Sequence, residues 1–403
     1  MMLNVLLLAD ESADWKIAGL RQINRIALAI NEMCARDRAI QSVRLSICWR
    51  PEIARQRKSE SGKHLTRLSI DIIELSEIAN QRFDLVISTR VLLARKCQWK
   101  DLEKRSRASF VAGPLDPQWN DVWRECEKSW ETARLEIDGC EYLLDGLHLN
   151  RCERRLLRGG GKSHDDGFVS RYLNRPISRA ITRLLLRTPI TPNAWTFLII
   201  LLPMIGFVFL SRGDYAGFLV GALLYHLHSI LDGCDGEIAR ARYLDSDKGP
   251  GFDALGDLIA LLLFALGLSM GLFRQGTDLP NLRWFYLSEG MLSALLLTLR
   301  LAPHTFDLLA RGKAAVVSSE HNQRIRDSGG RFVGNRSTSF LFQSTKRDVA
   351  FFVFLVLAII GLAPWILHLL FVFSLASFVL VLKGRSSWSV LREQTKVSSP
   401  DST

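Results

Sequence analysis

The second half of the chain contains apolar stretches close to the length of a membrane-spanning helix. A helix needs ~20 residues to cross the hydrocarbon core. Residues 1–190, in contrast, are rich in charge and contain no apolar run longer than a few residues. A wholly soluble protein is therefore excluded, and we expect an α-helical membrane bundle preceded by a soluble domain. The six predicted spans cover residues 194–211, 216–234, 252–273, 285–302, 349–364 and 366–382.

The first 145 residues alternate between strand and helix patterns. The run Val5–Ala9 lacks a preceding basic flank and is followed by acidic residues, so it predicts a buried first strand rather than a signal peptide. Ile23–Cys34 has helical periodicity. This alternation indicates a soluble, Rossmann-like α/β domain with a largely parallel sheet over residues 1–145. Further strands are predicted at Val43–Trp49, Phe83–Ser88 and Ser109–Gly113.

The order of these elements resembles the start of sugar-nucleotide transferases, in which a glycine-rich loop after the first strand wraps a nucleoside triphosphate. The corresponding stretch, Asp10–Gly19, has no glycine before Gly19 and carries three acidic side chains. A phosphate cradle needs small residues and free backbone N–H groups, and carboxylates would repel the triphosphate. We therefore expect a degenerate, non-catalytic nucleotidyltransferase-like domain that serves as a scaffold or a dimerisation surface.

A basic connector, residues 146–193, precedes the first span. Within it, Phe168–Arg187 has the pattern of an amphipathic helix whose arginines recur at every fourth position and so share one face. We expect this helix to lie in the headgroup region beside the membrane, although a solvated basic face is the alternative. The arginines are Arg171, Arg175, Arg179, Arg183 and Arg187.

The distribution of basic residues predicts the orientation of the chain. Lysines and arginines are frequent in the loop 303–348 and after residue 382, whereas the loops on the other side are short and poorer in them. By the positive-inside tendency, this places both termini, that loop and the end of the second span on the cytoplasmic side of the plasma (inner) membrane. The net charge of +11 is thereby explained without a nucleic-acid partner. The membrane domain is expected to end near residue 385, and residues 386–403 to form a flexible tail.

The cysteines form neither a disulfide nor a metal-binding pattern. Their number is odd and no Cys-x-x-Cys spacing occurs, which argues against a disulfide framework and against a zinc site. We expect reduced thiols. The seven cysteines are Cys34, Cys48, Cys97, Cys126, Cys140, Cys152 and Cys234.

The most informative stretch joins the second and third spans. Asp232 and Asp235 are three residues apart, and Asp253 and Asp257 are four apart, so each pair projects from one face of its helix. Four carboxylates that converge at a membrane boundary repel one another and resist burial. A divalent cation is the simplest compensation. All-oxygen ligands suit Mg²⁺ or Mn²⁺, and four aspartates have the capacity for two ions.

Small residues accompany these carboxylates. Gly236 lies one helical turn before Ala239 and Arg240, which leaves a groove where a ligand can approach the backbone. Arg240 lies at the edge of this groove, as a phosphate-binding guanidinium would. Structural ion pairs or an ion-transport path would also place acids in a membrane, but neither requires this glycine and alanine spacing.

The complete pattern resembles the signature of the CDP-alcohol phosphotransferase family. The resemblance covers residues 165–385 and includes Thr191-Pro192-Asn193 at the start of the first span. It implies transfer of a phosphate-linked group from a CDP-activated donor to an alcohol, with release of CMP. The matching residues are Asp232-x-x-Asp235-Gly236-x-x-Ala239-Arg240, then Gly249 after eight residues, Asp253 and Asp257.

The same resemblance implies roles for individual residues. Asp232, Asp235 and Asp253 would bind the metal ions. Asp257 would complete the metal site and act as the general base. The cytidine side of the donor would be contacted by Asn193. The groove for the CDP group would be lined by Gly236, Ala239, Arg240 and Gly249.

The linker Asp166–Ser178 resembles that of inositol-type members such as the di-myo-inositol-phosphate phosphate synthases, some of which carry an N-terminal cytidylyltransferase domain. This implies inositol or an inositol phosphate as the acceptor, CDP-diacylglycerol or a CDP-polyol as the donor, and a place in phospholipid or related polar-lipid biosynthesis. Lys346 and Arg347 are candidate acceptor ligands, or alternatively anchors on the cytoplasmic side. The family resemblance also implies a homodimer. The rival hypotheses are a catalytically inactive membrane anchor for the N-terminal domain and an ion-coupled transporter.

Overall fold

A computed structural model gives the fold of the described part of the chain, which divides into two compact units. The described residues are 2–37, 39–54, 67–78, 81–95, 97–106, 118–159, 168–275, 280–312 and 347–379. The first unit comprises Met1–Lys162, Arg183–Pro189 and Glu237–Leu244, and the second comprises Ser163–Thr182, Ile190–Gly236 and Asp245–Thr403.

The described strands all belong to the first unit. They are β1 Met2–Ala9, β2 Lys16–Ile17, β3 Leu20–Arg21, β4 Ser42–Trp49, β5 Leu68–Ile73, β6 Leu85–Ser88, β7 Val91–Leu93 and β8 Cys140–Tyr142. Four of them form a parallel sheet in the order β5-β4-β1-β6, which is the order of the first four strands of a Rossmann-type sheet. Strand β1 is central, and its residues from Val5 to Ala9 are all buried, as expected for a parallel strand that is covered on both faces.

The predictions for this unit are largely confirmed. The strands predicted at Val5–Ala9, Val43–Trp49 and Phe83–Ser88 correspond to β1, β4 and β6. The sequence did not predict β5, which lies at one edge of the sheet. Its pairing with β4 includes an ion pair between Asp71 and Arg44, with 2.6 Å between Oδ2 and Nε. The strand predicted at Ser109–Gly113 lies outside the described residues.

Helices cover this sheet. The predicted helix Ile23–Cys34 is confirmed as α1, which buries Ile23, Ile26, Ile30 and Met33 in the core of the unit. The described helices of the first 162 residues are α1 Gln22–Arg36, α2 Pro51–Ala54, α3 Leu75–Ile78, α4 Trp99–Ser106, α5 Trp119–Trp130, α6 Leu135–Asp138 and α7 Gly146–Gly159.

The stretch after β1 is a compact turn. Glu11–Asp14 form a 3₁₀ helix that is capped by Asp10, whose side chain accepts a hydrogen bond from the Ser12 amide. The hairpin β2–β3 follows, and its two turn residues, Ala18 and Gly19, both have positive φ (48° and 77°). Two consecutive positive φ values are typical of the tight type I′ turn, which favours glycine.

The remaining described elements are helices. They are a π-helical turn at Ser170–Asn174, α8 Arg175–Leu185, α9 Pro192–Ile199, α10 Leu201–Leu210, α11 Tyr215–Arg242, α12 Gly249–Gln275, α13 Pro280–Arg311, α14 Arg347–Ile360 and α15 Ala363–Val379. Four helical segments in the described part are long and apolar enough to cross a membrane. These are Pro192–Leu210, Tyr215–Arg242, Gly249–Gln275 and Asn281–Arg311.

The fifth and sixth predicted spans correspond to shorter apolar helices, α14 and α15. Helix length in the described residues therefore supports four crossings, and the predicted six are not confirmed. The break between the two helices lies where the sequence Gly361-Leu362-Ala363-Pro364 predicted it. Gly361 has a φ of 84°, the left-handed conformation that commonly ends a helix at a glycine.

The core of the helical unit combines aromatic stacking with close helix contacts. The rings of Tyr225 and Phe264 have centroids 4.8 Å apart, and those of Phe264 and Phe354 have centroids 5.3 Å apart. Helix α12 approaches α10 at Gly271, where a β-carbon would lie 2.0 Å from the carbonyl oxygen of Leu210. Only glycine permits this approach.

The segment predicted to be an amphipathic helix is helical from Phe168 to Leu185. Apart from Val169, its buried residues are polar, among them Asn174 and Ser178, whereas Phe168, Tyr172 and Ile177 are exposed. An apolar face that points outward is typical of a helix at a membrane interface rather than of a helix on a soluble protein.

Candidate active site

Two helices bring the predicted carboxylates together. Asp232 and Asp235 lie on α11, and Asp253 and Asp257 lie on α12. Carboxylate oxygens of Asp232, Asp235 and Asp253 all lie within 4.8 Å of one another. Asp257 follows Asp253 by one helical turn, and both line the same cavity. The structure thus assembles three of the four aspartates into one group and places the fourth beside it.

The residues between Asp232 and Asp235 explain the orientation of the pair. Cys234 is buried, and its thiol donates a hydrogen bond to the carbonyl of Ser178, with an Sγ–O distance of 3.5 Å. At Gly233, a β-carbon would lie 3.3 Å from Nη1 of Arg175. This side of α11 therefore packs against the segment 175–178, and the three-residue spacing keeps both aspartates on a common face.

Helix α9 contributes a residue that the sequence did not reveal. The Thr196 hydroxyl donates a hydrogen bond to Oδ2 of Asp235 at 2.7 Å. The helix is held in place because Trp195 Nε1 donates to the carbonyl of Leu231, on α11, at 3.0 Å. The predicted donor ligand Asn193 is exposed in the first turn of α9. The sequence Thr191-Pro192 marks the start of α9, with the Thr191 side chain as the cap. This signal could have placed Thr196 about one helical turn beyond the start of the helix.

The aspartate group fits a divalent cation. Each pair of unit charges at such a separation repels by about 3.5 kcal/mol at an effective dielectric constant of ~20, which a bound cation would offset. The donors are all oxygens, which suits hard cations rather than thiophilic metals. The group is thus a possible acidic metal site, and its outer partner Thr196 holds one of the carboxylates.

A cavity of about 580 Å³ adjoins the carboxylates of α12. Its polar lining includes Arg300 and His304 of α13 and Asp348 of α14, and its apolar lining comes from α12 to α15. Asp348 accepts a hydrogen bond from the Ser229 hydroxyl at 3.2 Å, which joins α14 to α11. Arg300 was not predicted, although an arginine inside the predicted span 285–302 was a signal, because charged residues inside spans usually face a functional interior.

The other predicted residues are distributed along the same helices. Gly236 follows Asp235, and Gly249 is the first residue of α12. Ala239 and Arg240 lie further along α11, in the segment that belongs to the first unit. Lys346 lies outside the described residues. Arg347 is the first residue of α14 and precedes Asp348, which lines the cavity.

Comparisons with known proteins connect this geometry to a family. Residues 189–322, which include all the predicted aspartates, match the family model described as CDP-alcohol phosphatidyltransferase. Three similar proteins are each named "Bifunctional IPC transferase and DIPP synthase". The Rubrobacter xylanophilus protein is 37% identical over 181 residues, which are 43% of this chain and 39% of the relative.

Two other relatives match shorter stretches. The Thermococcus kodakarensis protein is 38% identical over 123 residues, which are 29% of this chain and 27% of the relative. The Archaeoglobus fulgidus protein is 36% identical over 116 residues, which are 29% of this chain and 23% of the relative. The chain therefore spans at most 39% of the length of these relatives.

Proposed function

Because residues 189–322 carry a CDP-alcohol phosphotransferase domain, we propose that this protein transfers a phosphate-linked group from a CDP-activated donor to an alcohol and releases CMP. The observation that carries the proposal is the convergence of Asp232, Asp235 and Asp253 within 4.8 Å. The cavity that Asp253 shares with Asp257 would then hold the reacting groups.

In this proposal Asp232, Asp235 and Asp253 hold the divalent cation, Mg²⁺ or Mn²⁺, and Asp257 completes a site for two ions. When bound, the cations neutralise the charge that develops on the departing CMP. Thr196 fixes the orientation of the Asp235 carboxylate through its hydrogen bond.

The donor groove is assigned to the small residues and the arginine of the family signature. Their small side chains would let the diphosphate approach the backbone of α11, and the guanidinium of Arg240 would bind phosphate. Asn193 would contact the cytidine. The groove residues are Gly236, Ala239, Arg240 and Gly249.

Asp257 is the proposed general base. Its carboxylate takes the proton of the acceptor hydroxyl as the hydroxyl oxygen attacks the phosphorus that bears the transferred group. The bond between that phosphorus and the CMP oxygen breaks, and CMP leaves with the electron pair. One phosphate ester is thus formed for each diphosphate bond broken.

The proposed acceptor is a polyol such as inositol or an inositol phosphate. The cation of Arg300 in the cavity favours a phosphorylated acceptor, and Lys346 and Arg347 could add further positive charge. The names of the relatives, which include IPC transferase and DIPP synthase, agree with this choice. The donor would be CDP-diacylglycerol or a CDP-polyol.

For the N-terminal domain we propose a non-catalytic role. Nucleotides bind Rossmann-type sheets beyond the carboxyl ends of the strands where the strand order reverses, here at the ends of β1 and β6. Asp10 follows β1 there, and its carboxylate accepts hydrogen bonds from Thr89 Oγ1 and, at 3.0 Å, from Arg90 Nε. A buried carboxylate at the end of β1 would repel a phosphate group there, which supports a scaffold or a dimerisation surface.

The proposed organisation is a soluble domain at residues 1–145, a linker with an interfacial helix at 146–193, a membrane domain at 194–385 and a tail at 386–403. In it, α14 and α15 also cross the membrane to give six spans. An even number of spans leaves both termini on one side, which the basic loops predict to be cytoplasmic together with the active site. A homodimer remains a prediction.

The test is acceptor-dependent CMP release by the purified protein in detergent with Mg²⁺ or Mn²⁺. CDP-diacylglycerol and CDP-inositol would be offered as donors, each with inositol, inositol phosphate, glycerol phosphate and serine as acceptors. Asp257→Asn should abolish release. The matched control is Asp214→Asn, at the other end of α11, where asparagine can keep the cap that Asp214 forms with the Gly217 amide at 3.1 Å.

The outcomes separate the rival hypotheses. Release that is lost in Asp257→Asn and kept in Asp214→Asn supports the transferase. Silence with every donor and acceptor contradicts it and favours the inactive membrane anchor. Cation uptake by proteoliposomes without CMP release favours the ion-coupled transporter.

A further inference from the structure

The first unit contains a second group of potential metal ligands, formed by Glu141, His148 and Cys152. Glu141 lies on β8, and the other two residues lie on α7. One ligand atom from each of the three side chains lies within 4.8 Å of the other two. The group is separate in sequence from the aspartates of the proposed active site and has a different chemistry, because it contains a thiol and an imidazole.

The start of α7 places the histidine and the cysteine. Asp145 Oδ1 accepts a hydrogen bond from the His148 amide at 2.8 Å, which fixes the first turn of the helix. His148 and Cys152 are four residues apart and therefore share one helical face. The imidazole lies between the other two side chains, with 3.7 Å from Nδ1 to the Cys152 Sγ and 3.5 Å from Nε2 to Glu141 Oε1.

Glu141 leaves one carboxylate oxygen without a partner in the described structure. The residue is 5% exposed. Its Oε1 accepts a hydrogen bond from Nη1 of Arg155 at 2.5 Å. Its Oε2 is buried and has no hydrogen-bond partner among the described residues. Leaving a buried acceptor unsatisfied is unfavourable, and more so for a charged group. A cation at Oε2 would remove this cost.

Cys152 supplies the thiol of the group. Its side chain is fully buried beside the other two ligands. A metal ion would bind the thiolate form and displace the thiol proton.

We propose that Glu141, His148 and Cys152 bind one zinc ion, with water as the fourth ligand. Tetrahedral zinc with these donors requires ligand atoms about 3.4–3.6 Å apart, so small side-chain movements would close the site. Arg155 would orient the carboxylate from outside, as the outer partners of metal ligands usually do. The His148 side chain is 19% exposed and provides the route of entry. The ion would tie β8 to α7.

The absence of a Cys-x-x-Cys motif does not exclude such a site. That motif identifies zinc sites in which cysteines dominate. Here each ligand is of a different residue type, and only one of the seven cysteines takes part. The other six are buried and form no disulfide.

The test uses the full-length protein in detergent, stripped of metal with a chelator and titrated with Co²⁺. A thiolate ligand gives cobalt a charge-transfer band in the near ultraviolet. We expect this band to reach a plateau whose intensity corresponds to one thiolate-bound cobalt per chain and to disappear on addition of Zn²⁺. The aspartate group of the proposed active site would also take up Co²⁺, but its oxygen ligands produce no such band, so Asp232→Asn should leave the band unchanged.

Variants assign the band to the site. Cys152→Ala should abolish it, whereas Cys126→Ala, which removes another buried thiol of the same unit, should leave it intact. Glu141→Gln and His148→Gln keep the thiol and should weaken Co²⁺ binding by at least ~10–100-fold, the loss typical of changes to outer partners of metal ligands.

The wild-type protein alone can overturn the proposal, so folding of the variants does not limit the test. Absence of a thiolate band on Co²⁺ titration would show that the three side chains form only a hydrogen-bond chain. A band that persists in Cys152→Ala or vanishes in Cys126→Ala would assign the thiolate to another cysteine. Either result rejects the site.

Discussion

The hydrogen bond from Thr196 to Asp235 provides the sharpest test of the proposed metal site. Thr196→Val replaces the hydroxyl by a methyl group of similar volume and removes the donor that lies 2.7 Å from Asp235 Oδ2. A hydrogen bond to a charged group contributes about 1.5–3 kcal/mol, which corresponds to a factor of about 10–100 in an equilibrium constant. Changes to the outer partners of metal ligands independently give losses of ~10–100-fold.

The expected result is therefore a selective loss of metal affinity. The apparent Kd for Mg²⁺, measured from the metal dependence of CMP release, should rise by about 10–100-fold. The rate at saturating Mg²⁺ should recover, because every aspartate remains in place. Tryptophan fluorescence or thermal stability during a Mn²⁺ titration should report the same shift without substrate.

Thr298→Val is the matched control. Thr298 also lies in a membrane-domain helix, and its hydroxyl donates only to the carbonyl of Ala294, one turn earlier, at 2.8 Å. The Thr196 hydroxyl also lies 3.2 Å from the carbonyl of Pro192, which competes with Asp235 for its single proton, so the control tests the loss of this intrahelical alternative. An unchanged metal dependence in Thr196→Val, or an equal change in both variants, would refute the assignment of Asp235 as a metal ligand held by Thr196.

Three further perturbations test the acceptor site, the helix packing and the buried thiols. Arg300→Gln should raise the KM for inositol phosphate by about 10–100-fold, because this acceptor loses a charge-assisted hydrogen bond. The KM for inositol should be nearly unchanged. Equal changes in the two KM values would contradict a phosphate-binding role. Gly271→Ala should lower the melting temperature because its methyl group would meet the Leu210 carbonyl. The control Gly256→Ala should not, because no neighbouring atom in the described part of the chain lies within 4 Å of the position of its methyl group. Equal melting temperatures of the two variants would contradict the packing. Burial raises the pKa of Cys126 to about 12, so the folded state favours its thiol form. Its contribution to stability is present below the ordinary thiol pKa of ~8.5 and is lost as the pH rises towards 12, so alkaline unfolding should begin at higher pH in Cys126→Ala.

The aspartate site was predictable because its geometry is local. Each carboxylate pair lies within one helix, and a spacing of three or four residues is enough to place both members on one face. The two helices are also consecutive, so a short connection brings the pairs together. These facts led from Asp232, Asp235, Asp253 and Asp257 to a cation site without any knowledge of tertiary contacts, and the structure assembles three of these four residues.

Thr196 and Arg300 were missed because their roles depend on packing between distant segments. Thr196 contacts a residue 39 positions away, and no pattern in α9 indicates which face of that helix meets α11. Arg300 is a single charge in an apolar run, and its position in the cavity follows only from the packing of α12 to α15. The edge strand β5 was missed for a related reason, since its charged residue Asp71 is compensated across the strand pair by Arg44.

The Glu141–His148–Cys152 group shows why nearness in sequence alone is not sufficient for such predictions. Its members lie within twelve residues, yet they belong to a strand and to the helix that follows it. Helical periodicity relates His148 to Cys152, but no periodic rule relates a strand residue to a face of the next helix. That relation is set by the turn before α7, where Asp145 fixes the first helical turn through the His148 amide. Because one residue inserted at the start of α7, before His148, would rotate the face that carries His148 and Cys152 by about 100°, the site depends on the phase of this helix as much as on its ligands.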